Sequence, residues 1–211
     1  MKHVVMKRLA LSLAAAALLS GALTACVPLV VGGAAVAGGS LFATDRRTSG
    51  TQLEDEGIEL RALSRIRGNV GDRVHVNLTS YNRQVLLTGE VPSAQDKQLV
   101  EQIVSRVENV NSVVNELAVM GNSSLRDRSS DVLVTGNVKA RLLDARDLQS
   151  NAFKVVTERG TTYLMGRVTQ READRATAVV RGTTGVQKVV RIFETLSEGE
   201  LAGTLPAPVK Q

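Results

Sequence analysis

A block of sequence recurs along the chain, and the recurrence limits the fold more than any other feature. Val76-Asn77-Leu78-Thr79-Ser80, a turn and Leu86-Leu87-Thr88-Gly89-Glu90-Val91 reappear as Phe153-Lys154-Val155-Val156-Thr157, a turn and Tyr163-Leu164-Met165-Gly166-Arg167-Val168, 77 residues later. Val110, Val113, Val114 and Leu117 match Val186, Val189, Val190 and Phe193 at a spacing of 76, so one residue is gained or lost within or beside a helix. The chain therefore reads as two like domains, 52–120 and 131–196, joined by a polar linker at 121–130.

Each copy carries the same periodicities. Ile58, Ala62 and Ile66, like Val134, Val138 and Leu142, recur every four residues and mark one apolar helix stripe. Val74, Val76 and Leu78 alternate with His75 and Asn77, as in a strand with one buried face. Tyr81-Asn82-Arg83-Gln84 and Glu158-Arg159-Gly160 reverse the chain into a second strand. Gly89 and Gly166 lie inside those strands, where glycine marks a bulge or a close backbone approach. A second helix starts at Ser93 or Thr169, and Thr169 with Glu172 forms a capping box. Leu99, Ile103 and Val107 supply its apolar stripe in copy one; Ala173, Ala176 and Val180 do so in copy two. Asn109 and Gly185 both suit a left-handed helix end, and third strands follow at 112–119 and 188–195. The fold class is α+β: each copy is helix–strand–strand–helix–strand, a small three-stranded mixed sheet packed by two helices.

The N-terminus carries an address. Lys2, Lys7 and Arg8 precede an apolar stretch from Leu9 to Leu19, and Leu23-Thr24-Ala25 leads to Cys26, the one cysteine of the chain. That is a secretory signal over residues 1–25 with small residues before the cut. Its apolar stretch is far shorter than the roughly 20 residues a membrane span needs. Residues 26–51 are Gly- and Ala-rich and read as a flexible tether; the tail at 197–211, with Gly199, Gly203, Pro206 and Pro208, reads as disordered. Gly32-Gly33 lacks the strand–turn–helix setting of a dinucleotide fingerprint.

Charge excludes one class of partner. The precursor is +5, but removing residues 1–25 leaves 26−3 = 23 basic against 21 acidic residues, or +2. No basic run with interleaved aromatics remains, so no nucleic acid is expected. Catalysis finds no constellation either. His75 is the single histidine after the signal and is read as lying on a strand's solvent face; Glu54-Asp55-Glu56 is read as favouring a helix dipole; no His/Cys spacing suits a metal. No enzyme activity, metal or cofactor is expected.

The in-strand glycine and the turn into the last strand, clearest at Met165-Gly166-Arg167-Val168 and Gly185-Val186-Gln187-Lys188-Val189-Val190, resemble BON domains. Copy one departs from that pattern at Asn109, which keeps the backbone geometry. The lipobox-like Leu23-Thr24-Ala25-Cys26, the tether with Ala43-Thr44-Asp45-Arg46-Arg47, and two tandem BON copies together are similar to dual-BON outer-membrane lipoproteins. That resemblance implies lipidation at Cys26, palmitate-type acylation, and anchoring at the periplasmic face of the outer membrane. Val27 after the cysteine fits outer-membrane sorting in that family. It further implies recognition of anionic phospholipid such as phosphatidylglycerol and cardiolipin, support of envelope integrity, and association with cell division and outer-membrane assembly proteins.

The charge split locates the lipid contact. Residues 52–120 hold 7 basic and 10 acidic side chains, giving −3; residues 131–196 hold 11 and 7, giving +4. Anionic head groups attract basic residues at about 1 kcal/mol each near the surface, so copy two is the membrane-contact candidate. In the resembled family its first helix is the lipid-contacting element. Here that helix spans about 131–143, with Leu133 as apolar anchor, because its counterpart in copy one is Gly57, and Asn137, Lys139 and Arg141 at the head groups. The alternative expectation is an adaptor whose lipid anchor only localises it, while the domains engage outer-membrane assembly or septal cell-wall hydrolase regulators.

Overall fold

The computed structural model describes residues 45–204. Copy one comprises α1 (Ser49–Val70), β1 (His75–Tyr81), β2 (Gln84–Val91), α2 (Ala94–Ser105), β3 (Ser112–Asn115) and β4 (Ala118–Val119). Copy two comprises α3 (Leu125–Asp144), β5 (Lys154–Glu158), β6 (Thr161–Thr169), α4 (Gln170–Arg181) and β7 (Lys188–Leu196), and α5 (Glu198–Thr204) follows. In each mixed sheet the second strand is central. β1 pairs antiparallel with β2, and β3 and β4 run parallel to it; β5 is antiparallel and β7 parallel to β6.

Both hairpins close tightly. Tyr81 pairs with Gln84 and Glu158 with Thr161, leaving the two-residue turns Asn82-Arg83 (φ 50° and 65°) and Arg159-Gly160 (φ 50° and 69°). Positive φ at both central positions matches the right-handed twist of the flanking strands. Each turn's amides are bound by an aspartate from the first helix of its own copy. Asp55 accepts from the backbone N–H of Asn82 and Arg83, both at 2.8 Å, and from Ser80 Oγ at 2.7 Å. Asp131 accepts from the N–H of Arg159 at 2.7 Å and of Gly160 at 3.0 Å. The structure thus corrects the reading of Glu54-Asp55-Glu56: α1 begins at Ser49, and Asp55, only 1% exposed, holds the hairpin rather than a helix dipole.

The in-strand glycines are close approaches. A Cβ on Gly89 would stand 2.1 Å from the His75 carbonyl oxygen, and one on Gly166 2.4 Å from that of Ala152. The one-residue offset between the copies is also placed. Val91 and Val168 are 77 apart, yet the helix caps Ser93 and Thr169 are 76 apart, so Pro92 is the extra residue of copy one.

Three apolar clusters build four layers. Ile58, Ala62 and Ile66 pack with β2 residues Val85, Leu87 and Val91 beneath α1 and α2. Val134, Val138 and Leu142 do the same with Val155, Leu164 and Val168 beneath α3 and α4. The third cluster joins Tyr81 and Leu86 of copy one to Tyr163, Met165 and Ile192 of copy two, with Val114, Val156 and Val190 around it. The sheets therefore pack face to face, and the two helix pairs lie on opposite outer layers. Within α2 the stripe is displaced by one residue from the expected one. Val100 and Val104 are fully buried, while Leu99 and Ile103 are partly covered at its edge. Both columns are apolar, and sequence spacing alone does not choose between them.

Sheet-on-sheet packing also moves His75 off the solvent face. Its Nδ1 lies 2.9 Å from Oε2 of Glu90, a fully buried carboxylate that also accepts from Arg159 Nη1 at 2.9 Å and from Ser123 N and Oγ at 3.2 Å. Burial disfavours the Glu90 anion, but these hydrogen bonds outweigh it and hold its carboxyl below the usual carboxylate value. Asn77 reaches Glu158 at 2.9 Å in the same seam.

Three segments expected to be loose carry structure. In the span 26–51, Asp45–Thr48 crosses copy two, and Ser49 already starts α1. Arg46 forms a bidentate pair with Glu172, both bonds 2.7 Å, and donates to the Arg167 carbonyl at 2.8 Å. In the span 121–130, Leu125–Ser130 is helical, because Ser124 and Asp127 form a capping box that starts α3 there. In the span 197–211, Glu198–Thr204 forms α5, with Ser197 bound to Glu200. The signal span 1–25 and Cys26 lie outside the described residues.

Candidate membrane-contact site

α3 presents its core face through Asp131, Val134, Val138 and Leu142, four residues apart. The opposite face is largely apolar as well. Leu125, Ser129, Val132, Gly136, Ala140 and Leu143 follow one another in steps of three or four and form one line along the outward side. Leu125 is 79% exposed, and Val132, Leu133 and Leu143 are each 70% exposed. Arg126, Asn137 and Arg141 flank the line on one side and Lys139 on the other, all exposed. An outward helix face is ordinarily polar; here only the flanks are.

Among the described residues, Arg126, Lys139 and Arg141 make no side-chain ion pair or hydrogen bond. The equivalent helix of copy one differs in its line and in two of its three arginines. Its Arg61 pairs with Glu54 at 2.5 Å and Arg65 with Glu108 at 2.7 Å. Asn109, together with Arg61, holds the Glu54 carboxyl below its usual range. α1 does expose Leu53 and Leu60, but Glu56 and Arg67 stand where α3 carries Val132 and Leu143.

All four expected contact residues, Leu133, Asn137, Lys139 and Arg141, are exposed on α3. Leu133, Asn137 and Arg141 share one side, and Lys139 lies across the apolar line from them. Sequence reasoning missed Leu125, Val132 and Leu143. The comparison that singled out Leu133 against Gly57 also contains Val132 against Glu56 and Leu143 against Arg67. Leu125 was hidden because residues 121–130 read as linker; the signal was Ser124 three residues before Asp127.

The helix cannot span a bilayer: among the described residues no helix is long and apolar enough to cross a membrane. Its exposed side carries a largely apolar line between polar flanks, with Arg126, Asn137, Arg141 and the acidic Asp144 on one side and Lys139 on the other.

A repeated helix–strand–strand–helix–strand unit with a turn-binding aspartate and an in-strand glycine defines the fold class, and the family comparison agrees with it. The BON domain model matches residues 54–121 and 130–194, and the chain belongs to the BON domain family, with two copies. It is 36% identical over 193 residues to the outer membrane lipoprotein DolP of Haemophilus influenzae, covering 90% of this chain and 97% of that protein. It is 29% identical over 151 residues to the 21 kDa hemolysin of Actinobacillus pleuropneumoniae, covering 71% and 78%. Osmotically-inducible protein Y of Escherichia coli is 28% identical over 123 residues, covering 57% of this chain and 61% of that one.

Proposed function

We propose that this chain is an outer-membrane lipoprotein of the bacterial envelope, anchored through Cys26 on the periplasmic face, which lays α3 on anionic phospholipid and so supports envelope integrity and division-site function. The outer-membrane assignment is supported by 36% identity over nearly the full length of the Haemophilus influenzae lipoprotein. The lipid reading is carried by one observation: the outward line of α3 is largely apolar, and among the described residues its flanking cations make no ion pair. Apolar burial in the head-group region and attraction to phosphate act together there. The test is flotation of the full chain bearing Cys26→Ser, which carries no acyl group, with phosphatidylglycerol or cardiolipin vesicles at low salt. Co-flotation that vesicles of neutral lipid do not support is the expected result, and its absence rejects the reading.

A second reading rests on α1. Its exposed Leu53 and Leu60 lie on the layer opposite α3, so they stay accessible to a protein partner while α3 faces lipid. This is the adaptor role, toward outer-membrane assembly or septal cell-wall hydrolase regulators.

The anchor is separately testable. A single acyl chain binds membranes only marginally, whereas two or more hold stably. Cys26→Ser should block lipidation and release from the outer membrane those molecules whose signal is still cleaved, which then appear in the soluble periplasmic fraction on cell fractionation. Retention of the variant at the normal level with normal function would show that lipidation is not the localising device.

A further inference from the structure

The sheet of copy two ends on a long strand paired on one side only. β7, nine residues from Lys188 to Leu196, bonds to β6 and is the longest edge strand among the described residues. Lys188, Arg191, Glu194 and Thr195 are exposed, and Val189, Val190 and Phe193 are half-buried. An edge strand presents a row of unpaired N–H and C=O groups, which proteins ordinarily blunt with breaks, bulges or side chains. Copy one does so. Its last strand is interrupted at Glu116-Leu117, between β3 and β4, and side chains occupy the backbone there. The Asn115 side chain accepts from the Leu117 N–H at 3.2 Å, and Lys97 Nζ donates to the Leu117 carbonyl at 2.7 Å. β7 has Arg191-Ile192 where copy one has Asn115-Glu116, and it runs through without a break or a proline. We infer that the open edge of β7 receives an extended, acidic-ended segment of a partner protein as a fourth strand of that sheet. The surface is separate from α3, which packs over β5 at the other edge, and it does not depend on lipid contact.

In strand addition, main-chain hydrogen bonds give affinity and pockets for alternate side chains give selectivity. Two grooves border the β7 edge. One, about 300 Å³, lies at its start and is lined by Arg181, Val186, Gln187, Lys188 and Val189. The other, about 260 Å³, lies further along, where Ile192, Phe193 and Glu194 meet Asn111 and Ser112 of copy one. Charge selects the occupant. Among the described residues, Arg181 and Lys188 make no side-chain ion pair or hydrogen bond. Arg191, by contrast, pairs with Asp174 at 2.9 Å, and Glu194 with Arg167 at 3.0 Å. The unanswered charge is therefore positive and confined to the first groove. It suits carboxylates at the C-terminal end of a strand running antiparallel to β7, the slightly more stable pairing. A second β7 suits it less, because each such strand sets Lys188 and Arg191 against the single Glu194. The chain's own segment 205–211 brings Pro206 and Pro208, which cannot donate to a ladder.

The test is NMR titration and hydrogen exchange of the full chain bearing Cys26→Ser with a synthetic heptapeptide of alternating threonine and valine that ends in two glutamates. The same peptide ending in two lysines, and a fully N-methylated form that cannot donate ladder hydrogen bonds, serve as controls. Saturable one-to-one binding of the glutamate peptide is expected, with alternate amides of β7 gaining exchange protection and the N-methylated form not binding. Lys188→Gln, at an exposed position, should weaken binding about threefold, within the range of an exposed ion pair. Asn111→Trp, at an exposed position beside the second groove, should abolish it. Absence of saturable binding, or protection that maps to β1 or β5 instead of β7, overturns the site. Equal binding of the lysine peptide overturns the acidic assignment. Protection of β7 in the peptide-free chain that rises with protein concentration, together with a dimer in sedimentation equilibrium, makes a second copy the occupant and overturns the partner segment. Protection independent of concentration does the same in favour of a segment of this chain.

Discussion

Replacing Arg46 with alanine should lower the unfolding free energy by about 3–5 kcal/mol, the range for removing one partner of a buried ion pair. Arg46 is 6% exposed and Glu172 3% exposed, and their two hydrogen bonds are both 2.7 Å. Without the guanidinium, the carboxylate stays buried and, among the described residues, keeps the N–H and hydroxyl of Thr169 as donors. Glu172 is also the third residue of α4 and closes its capping box, so the loss spreads to the helix start. Urea unfolding of the wild type and Arg46→Ala measures the effect, and Arg46→Lys, which keeps the charge without the planar fork, should fall between them. A midpoint unchanged by Arg46→Ala would show that the Arg46–Glu172 pair contributes nothing to the fold.

The same pair sets an acid limit. Burial pushes the Glu172 carboxyl up, but hydrogen bonds from Arg46 and Thr169 outweigh it and leave its value below the usual 4.5. A carboxyl depressed in the folded state contributes stability that is fully present above the unfolded value and is lost as pH falls through the folded one. Stability should therefore be flat above about pH 5, where the unfolded carboxyl is also ionised, and decline below it. Arg46→Ala should shrink that acid limb. An equally steep limb in the variant would assign the acid sensitivity elsewhere, Glu90 being the next such group.

These two carboxylates show where sequence reading reaches its limit. The repeat, the hairpins, the capped second helix and the Ile58–Ala62–Ile66 and Val134–Val138–Leu142 stripes are local or periodic, and they are legible in the chain itself. Asp55, Asp131, Glu90, Glu172 and Arg46 are all buried, yet by residue type each belongs on a surface. Their burial follows from tertiary contacts that no periodicity announces: Asp55 and Asp131 lie against the hairpin turns of their own copies, Arg46 and Glu172 meet at the start of α4, and Glu90 is covered where one sheet packs on the other. A trace of the sheet packing was present: Val85-Leu86-Leu87 and Tyr163-Leu164-Met165 are apolar without alternation, as expected of strands covered on both faces. The candidate site was half legible for the same reason. Comparing the copies isolates Leu133, while the full apolar line of α3 needs the true helix start at Leu125.

Leu133→Glu should abolish binding to phosphatidylglycerol vesicles and leave the fold intact. The side chain is 70% exposed and takes no part in the core stripe of Val134, Val138 and Leu142, so its replacement leaves the packed face unchanged. On the membrane side the change places a carboxylate against acyl chains and a negative charge against phosphates. A charge held in the hydrocarbon region costs about 2.5–3.5 kcal/mol or more, enough to lower affinity at least fiftyfold at the standard conversion of 1.4 kcal/mol per factor of ten. Val132→Glu and Leu143→Glu share the outward line and should act in the same direction. Reversing Lys139 and Arg141 to glutamate should weaken binding in a salt-dependent manner, because exposed charges are screened within about 10 Å at 0.1 M salt. The opposite layer supplies the control. Glu59 bonds Ser80 N and Lys154, so a clean change in α1 is Leu60→Glu, at an outward residue 71% exposed. If α3 is the lipid face, Leu60→Glu leaves vesicle flotation at the wild-type level while Leu133→Glu removes it; the reverse pattern would move the membrane contact to copy one.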